Sequence, residues 1–339
     1  MPAVFRYAIG LVAVILSMVA FANPATAAVP AGPRLTVVIH DALHGSELIT
    51  MGPTGGMQQH LIVGLDSERP SWSEDGSLVA LAATGEGWDG AVVAIAKEDG
   101  SNLRVYRHAF LNADQNPIIS PDGRFVAFSR AKFIKALPGR ENYLFKSSIW
   151  SLDVETGKVK QRTRWIGTVL TPSSYSPDGR RLALTVFTRH GLQASAVDLR
   201  NGRLSLLARE ASDPVYSPDG SEVAFVRWTN WRASGIDDGS PPIDELRVTR
   251  IGAFPRSRLL LRSHKLLAWP SWDPSGQRLA FTRTRVVENG YTDPKKGDAL
   301  MAINADGTCL KKVYTDRETT LHGATWQPGP GREAGPISC

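Results

Sequence analysis

Short apolar runs bounded by turn residues make up most of this chain. Residues 125–128 (Phe-Val-Ala-Phe) show the unit, because they follow the turn residues Ser120-Pro121-Asp122-Gly123. In such a turn the proline presets φ, the aspartate bonds its own downstream backbone and the glycine takes a positive φ. The apolar run after it suits a buried strand. The pattern therefore predicts a tight turn followed by a short strand.

This turn occurs five times, counting close variants, and its glycines are 41 to 56 residues apart. An alanine and then a large apolar residue follow each glycine at a fixed distance. Strand-rich repeats of this length are typical of propeller blades. We predict that the residues four positions before the glycines form the core between blades. These residues are Trp72, Ile119, Tyr175, Tyr216 and Trp272.

A second glycine-containing turn lies between two apolar runs in most units, which is a hairpin signal. One unit therefore contains four strands. Five units span residues 70–315, and the two ends supply a sixth, with three N-terminal strands (35–39, 47–51 and 59–63) and one strand around Trp326. Such closure removes open sheet edges. We predict an all-β fold, a six-bladed β-propeller of four-stranded blades over residues 33–328, closed by three N-terminal strands plus one C-terminal strand.

The units resemble the WD40-like repeats of TolB-type propellers, whose pattern is P-x-W-S-P-D-G followed by a strand like I-A-F. Residues 270–276 (Pro-Ser-Trp-Asp-Pro-Ser-Gly) and 279–281 (Leu-Ala-Phe) come close to it. The resemblance implies a propeller fold and, in that family, a partnership with a peptidoglycan-associated lipoprotein. We expect the N-terminal α/β domain of TolB to be absent, because the predicted propeller directly follows the N-terminal segment.

The N-terminal segment has the features of a targeting signal. Arg6 precedes a nearly unbroken apolar stretch, residues 7–21, which is short for a bilayer span of roughly 20 residues. Ala25-Thr26-Ala27 fits an A-x-A cleavage site. We predict a cleaved signal peptide over residues 1–27 and a secreted or periplasmic protein without a stable membrane span; an uncleaved anchor is the alternative.

The net charge narrows the classes of partner, and the two cysteines bear on whether the C-terminal tail is attached to the propeller. The net charge is +6, without a dense Lys/Arg run interleaved with aromatics, which argues against nucleic acid binding and favours acidic partners. Cys309 and Cys339 are the only cysteines. In an exported protein they could form a disulfide that ties the C-terminal tail (329–339) to the propeller, or remain free thiols.

No residue pattern indicates catalysis. The aspartates of the repeated turns have a structural role available, and no EF-hand-like series of oxygen ligands is present. The seven histidines form neither H-E-x-x-H nor a zinc spacing, although loops carrying His40, His44 and His190 could share one axial mouth. A G-x-S-x-G elbow is absent. We predict no metal ion, no cofactor and no catalytic residue.

Three long loops after the second strand of a unit, residues 131–145, 228–242 and 285–297, are predicted to emerge on one face. Loops on a rigid scaffold commonly carry binding, and aromatic residues and arginine dominate interface hot spots. Surface elaboration with aromatics folded onto the blades is the alternative. The candidate binding residues are Tyr143, Trp228, Trp231, Arg232 and Tyr291, with Asp237, Asp238 and Asp244 as acidic groups.

These features favour a monomeric, exported, non-catalytic propeller that binds a protein or a cell-envelope glycan through loops on one face. A TolB-like envelope assembly factor is the second hypothesis. A polysaccharide-acting lyase or hydrolase is the third, since fold alone does not define an activity.

Overall fold

The computed structural model describes residues 34–41, 45–56, 58–63, 66–84, 91–107, 112–136, 143–166, 169–188, 191–228, 243–284, 298–315, 320–329 and 336–339. These residues form β-strands, turns and irregular segments. None of them belongs to a helix with the length and apolar character that a bilayer crossing needs. The predicted signal peptide lies outside the described residues.

The described residues contain twenty-four strands, numbered in chain order. The first twelve are β1 (Arg34–Asp41), β2 (Gly45–Met51), β3 (Gln59–Val63), β4 (Asp66–Trp72), β5 (Leu78–Thr84), β6 (Val92–Lys97), β7 (Arg104–Tyr106), β8 (Asn112–Ile119), β9 (Phe125–Ala136), β10 (Tyr143–Asp153), β11 (Val159–Gln161) and β12 (Leu170–Tyr175). The others are β13 (Arg181–Thr188), β14 (Gly191–Asp198), β15 (Leu204–Arg209), β16 (Ala211–Tyr216), β17 (Glu222–Trp228), β18 (Asp244–Arg250), β19 (Arg258–Ser263), β20 (Leu266–Trp272), β21 (Arg278–Thr284), β22 (Ala299–Asn304), β23 (Lys311–Thr315) and β24 (Thr320–Gln327).

The strands form six antiparallel four-stranded sheets. Blades one to five contain β4–β7, β8–β11, β12–β15, β16–β19 and β20–β23, and blade six has the order β24-β1-β2-β3. The first strands of successive blades contact one another in a closed ring around the axis. The predicted six-bladed propeller, including the closure of blade six by both ends of the chain, is confirmed.

Gln327, at the end of β24, also connects blade six to blade one. Its side chain is fully buried, and its Nε2 donates a hydrogen bond to the Gly76 carbonyl oxygen at 3.0 Å. This bond joins the last strand of the propeller to the first repeated turn and reinforces the ring closure.

The repeated turns have the local structure that the sequence predicts. In blade two, Ser120 Oγ donates to Asp122 Oδ1 at 2.6 Å, and the same carboxylate oxygen accepts the Arg124 N–H. In blade five the serine and the aspartate exchange positions, and Ser275 Oγ donates to Asp273 Oδ2 at 2.5 Å. The turn aspartates therefore hold the turns together.

The structure corrects one predicted feature at the periphery, a long loop, and settles another, the state of the two cysteines. Residues 131–136 and 143–145 are not loops but extensions of β9 and β10, with Tyr143 paired to Ala136. Cys309 and Cys339 form a disulfide, with their Cα atoms 5.1 Å apart. Beside it, Asn304 Nδ2 donates to the Ile337 carbonyl oxygen and Asn304 Oδ1 accepts the Ile337 N–H. The end of the chain is thus fixed to blade five.

Candidate functional site

A cavity of about 720 Å³ lies on the propeller axis, where the last residues of the six inner strands meet the repeated turns. Because these turns join the first and second strands of each blade, the cavity opens on the face opposite the three long loops predicted from the sequence. The side chains lining it are mainly prolines, aromatic residues and serines. The site is described below from its floor to its rim.

Every inner strand has a β-bulge just before the cavity. In five blades the bulge holds one residue at positive φ, whereas blade three has Pro172, whose ring does not permit it. Bulges re-aim side chains, and here the re-aimed residues differ from blade to blade. The positive-φ residues are Arg69 (33°), Asn116 (52°), Asp213 (51°), Trp269 (54°) and Gly323 (62°).

An ion pair between opposite blades forms the floor. Arg69 of blade one lines the cavity, and its Nη1 donates to Asp213 Oδ1 of blade four at 3.3 Å. Their side chains are only 10% and 14% exposed. Blades one and four are opposite in a ring of six, so the pair crosses the axis. Gly323 of blade six makes room for it, because a Cβ there would lie 2.5 Å from Arg69 Cα.

Bonds between neighbouring blades hold the walls in place. The hydroxyl oxygens of Ser71, Ser174 and Ser271, in blades one, three and five, accept a backbone N–H from the following blade. The indole nitrogens of two wall tryptophans also donate hydrogen bonds, Trp72 to Thr36 Oγ1 and Trp272 to the Val215 carbonyl oxygen. These bonds hold the backbone of the walls and fix the side chains of Trp72 and Trp272 around the axis.

The phenols of the wall stay neutral at physiological pH. Burial raises the pKa of both Tyr175 and Tyr216 above the ordinary value for tyrosine. The rings of Tyr175 and Tyr216 give the wall an apolar surface, and the hydroxyl oxygen of Tyr216 is buried. The geometry suits the binding of an apolar segment with a few polar groups.

The rim combines prolines with two acids. Pro121, Pro177, Pro218, Pro274 and Pro328 each come from a different blade, and Glu74 takes the corresponding place in blade one. Asp75 stands beside Glu74. Burial raises the pKa of Asp75, but hydrogen bonds from Ser73 and Ser77 outweigh it, so this pKa lies below its ordinary value. Asp75 is therefore ionised at neutral pH.

The binding residues predicted from the loops are not brought together in the described part of the chain. Trp228 is the last residue of β17, pairs with Asp244 and packs against the core cluster of blades four and five. Tyr143 is the first residue of β10. Trp231, Arg232 and Tyr291 lie outside the described residues, so the loop surface remains a prediction.

Asp244 has a structural role and is not an acidic loop group. It is only 2% exposed, and its Oδ2 accepts the N–H of Leu267, the second residue of the next inner strand. Asp298 accepts the Leu321 N–H in the same way between blades five and six. Burial raises the pKa of Asp244 to about 6, although the bond from Leu267 lowers it.

Metal-binding side chains do not cluster in the described part of the chain, where no group of three or more His, Cys, Asp and Glu residues is placed to hold an ion. His40 Nδ1 lies 3.0 Å from Ser46 Oγ. His44 and His190 lie outside the described residues.

Sequence reasoning missed the residues that give the cavity its charge. Arg69 and Asp213 stand seven residues before the turn glycines of their units, a position where no two units share a residue. Glu74 was visible as the glutamate in Ser73-Glu74-Asp75-Gly76, the one copy without proline at its second position. The sequence signal for Glu74 was therefore its departure from the repeated motif. In the structure, Glu74 lines the axial cavity.

Comparisons with known proteins show the fold. No protein-family model matches the chain, and no curated protein does. TolB from Acinetobacter baumannii superposes with a TM-score of 0.67 at 18% identity, over 87% of this chain and 67% of that one. The putative TolB from Agrobacterium tumefaciens gives 0.60 at 17% identity, over 88% and 99%.

A chain of a nidogen/laminin complex is similar as well, with a TM-score of 0.60 at 11% identity, over 86% of this chain and 98% of that one. At these identities the similarity concerns the fold alone. The protein has a TolB-type propeller fold, as the repeats predicted.

Proposed function

We propose that this protein is an exported, non-catalytic propeller that binds a segment of a protein partner in the axial cavity. The observation that carries the proposal is the cavity itself, about 720 Å³, walled by fixed aromatic side chains and open at a proline rim. Ligand sites in proteins commonly have volumes of roughly 300–1,000 Å³ and aromatic walls with few polar groups.

The walls also favour a protein ligand. Trp and Tyr are enriched among the residues that dominate binding energy at protein interfaces. The serine bonds between blades preorganise these residues, so little side-chain entropy is lost on binding. Because the Arg69–Asp213 pair closes the floor, a segment would enter from the rim and end on the guanidinium.

A TolB-like, envelope-associated role is the second candidate. The similarity to two TolB structures favours it at the level of fold. Export rests on the signal sequence predicted in residues 1–27. The long-loop surface with Trp231, Arg232 and Tyr291 is the alternative place for the partner.

Site-specific photocrosslinking in the exporting cell tests the proposal. A photoreactive phenylalanine derivative replaces Pro274 at the rim, Trp231 in a long loop, or Leu204, an exposed residue of β15. We expect a crosslinked protein adduct from position 274 and none from position 204. An adduct from position 231 without one from position 274 would place the partner on the loops and overturn the axial proposal.

A further inference from the structure

One residue breaks the proline ring of the rim. Five rim positions are proline and the sixth is Glu74, which is exposed. Glu74 makes no hydrogen bond or ion pair with any residue that the structure describes. The glutamate therefore contributes no contact to the fold of its own turn.

The turn itself does not require a glutamate. In blade one, Gly76 N–H donates to the Ser73 carbonyl oxygen at 2.9 Å, as Gly123 N–H does to Ser120 at 2.8 Å in a turn that contains proline. Proline at this position fits the φ of such turns. Blade one thus has the backbone of the other turns and a different side chain.

Each turn contacts the glycine of the next turn, and the atom that makes this contact differs where Glu74 replaces proline. A Cβ placed on Gly220 or Gly276 would lie 3.3 or 3.6 Å from the proline Cδ of the preceding turn. At Gly123, which follows the glutamate turn, the nearest atom is Ser73 Cβ at 3.8 Å. The contact between turns is therefore made without Glu74, whose carboxylate is available to a ligand.

Among the described residues, the charged side chains that line the cavity belong to blade one, and Asp213 of blade four contributes to the floor only through its ion pair with Arg69. Arg69 lies at the floor, and Glu74 and Asp75 lie at the rim. The Asp75 carboxylate already accepts hydrogen bonds from Ser73 and Ser77, whereas Glu74 has none. Arg69 and Glu74 are five residues apart, which limits their separation to roughly 16 Å at about 3.3 Å per extended residue, because the chain between them includes a bulge and the start of a turn.

We propose that Glu74 selects a cationic side chain, lysine or arginine, near the outer end of the segment bound in the cavity. This inference rests on the proposed function and adds the chemistry of its ligand. An extended segment of four or five residues reaches from rim to floor. Its basic residue pairs with Glu74 beside Asp75, and its apolar residues contact the aromatic walls.

A peptide-display experiment tests this selection. A random seven-residue peptide library on phage is panned against the full mature chain and against the Glu74→Gln and Glu74→Pro variants. Glu155→Gln is the matched control, since Glu155 is an exposed glutamate on the same face that does not line the axial cavity. In a further protein, the Pro274→Cys variant labelled with a polyethylene glycol maleimide, the label blocks the cavity (the plugged protein). Loss of peptide binding to the plugged protein shows that the peptide needs the open cavity.

We expect wild type and Glu155→Gln to enrich peptides with one lysine or arginine at a fixed distance from an aromatic or aliphatic residue. The Glu74 variants should enrich cavity-binding peptides without that basic residue. For a synthetic enriched peptide, Glu74→Gln should weaken binding about threefold to fivefold, the upper part of the range for an exposed charge pair. It should not change the affinity of the analogue with glutamine in place of lysine.

Two results overturn the inference in distinguishable ways. If enriched peptides require the open cavity but share no basic position, or if Glu74→Gln binds the lysine peptide as wild type does, the role of Glu74 is wrong and the axial site stands. If no peptide is enriched, or if the plugged protein binds every enriched peptide equally, the axial site itself is wrong.

Discussion

Arg69 and Asp213 are 144 residues apart in the chain, yet they form an ion pair across the propeller axis. Both occupy the positive-φ position of a β-bulge, at 33° and 51°. Because they belong to opposite blades, the pair both closes the floor of the cavity and connects the two halves of the ring. The bulge recurs in all six inner strands, and the site is made asymmetric by the side chains at the bulges, which do not repeat.

The first prediction concerns this pair. Arg69→Met and Asp213→Asn should each lower the free energy of unfolding by about 2–3 kcal/mol, because each removes the opposite charge that faces a largely buried one. The double variant should lose clearly less than the sum, because it contains neither charge. Urea denaturation of the four proteins gives the coupling energy. Additive losses would show that the two side chains do not interact.

The second prediction concerns Gly323, which lies against Arg69. Gly323→Ala should destabilise the protein by about 2–4 kcal/mol, because the residue has φ of 62° and its Cβ would overlap Arg69 Cα. Gly56→Ala is the control, since a Cβ there meets no atom within 4 Å. It should change stability by less than about 0.5 kcal/mol. Equal melting temperatures for the two variants would contradict the packing described here.

The blade architecture was predictable because one turn recurs with its flanking alanine and apolar residues. Blades one to five contain these repeated positions, and blade six was predicted from the strands that remain at the two ends. The floor could not be predicted, because no sequence rule places an arginine such as Arg69 at positive φ or tells which two bulges meet across the axis. The extension of β9 and β10 was also missed, because the whole span 131–145 was predicted as one loop although residues 131–136 and 143–145 lack the turn residues that end a strand.

The third prediction is a pH dependence carried by Asp244. Its pKa of about 6 in the folded protein lies above the value of 3.8 for an exposed aspartate. The folded state therefore binds more protons between these values, and stability should fall as pH rises from about 4 to 6. Asp244→Asn keeps an oxygen for the Leu267 N–H and removes the titration.

The free energy of unfolding of Asp244→Asn, relative to that of wild type, should therefore increase by about 2 kcal/mol between pH 4 and pH 7. This figure uses roughly 1.4 kcal/mol per pKa unit and allows for partial burial. Thermal or urea unfolding of both proteins across this range measures it. A stability difference that does not change with pH would show that Asp244 titrates normally.

The fourth prediction concerns the disulfide. Cys309 and Cys339 enclose a segment of 30 residues, and Cys339→Ser should lower the free energy of unfolding by about 1–3 kcal/mol. The Asn304–Ile337 bonds keep part of the tail in place, so the loss should be below the full loop-closure value. Wild type in dithiothreitol serves as control and should match the variant. Unchanged stability in both cases would show that the disulfide adds nothing to the stability of the propeller.

The central claim is that the axial cavity, with its rim of prolines and Glu74, is where the partner binds. The most direct measurement is the affinity of the partner captured by rim crosslinking for two proteins labelled with the same polyethylene glycol maleimide. One carries the label on Pro274→Cys at the rim and the other on Leu204→Cys on β15. We predict that the rim label abolishes binding and that the β15 label leaves it unchanged. Equal affinity of both labelled proteins for the partner would contradict the claim.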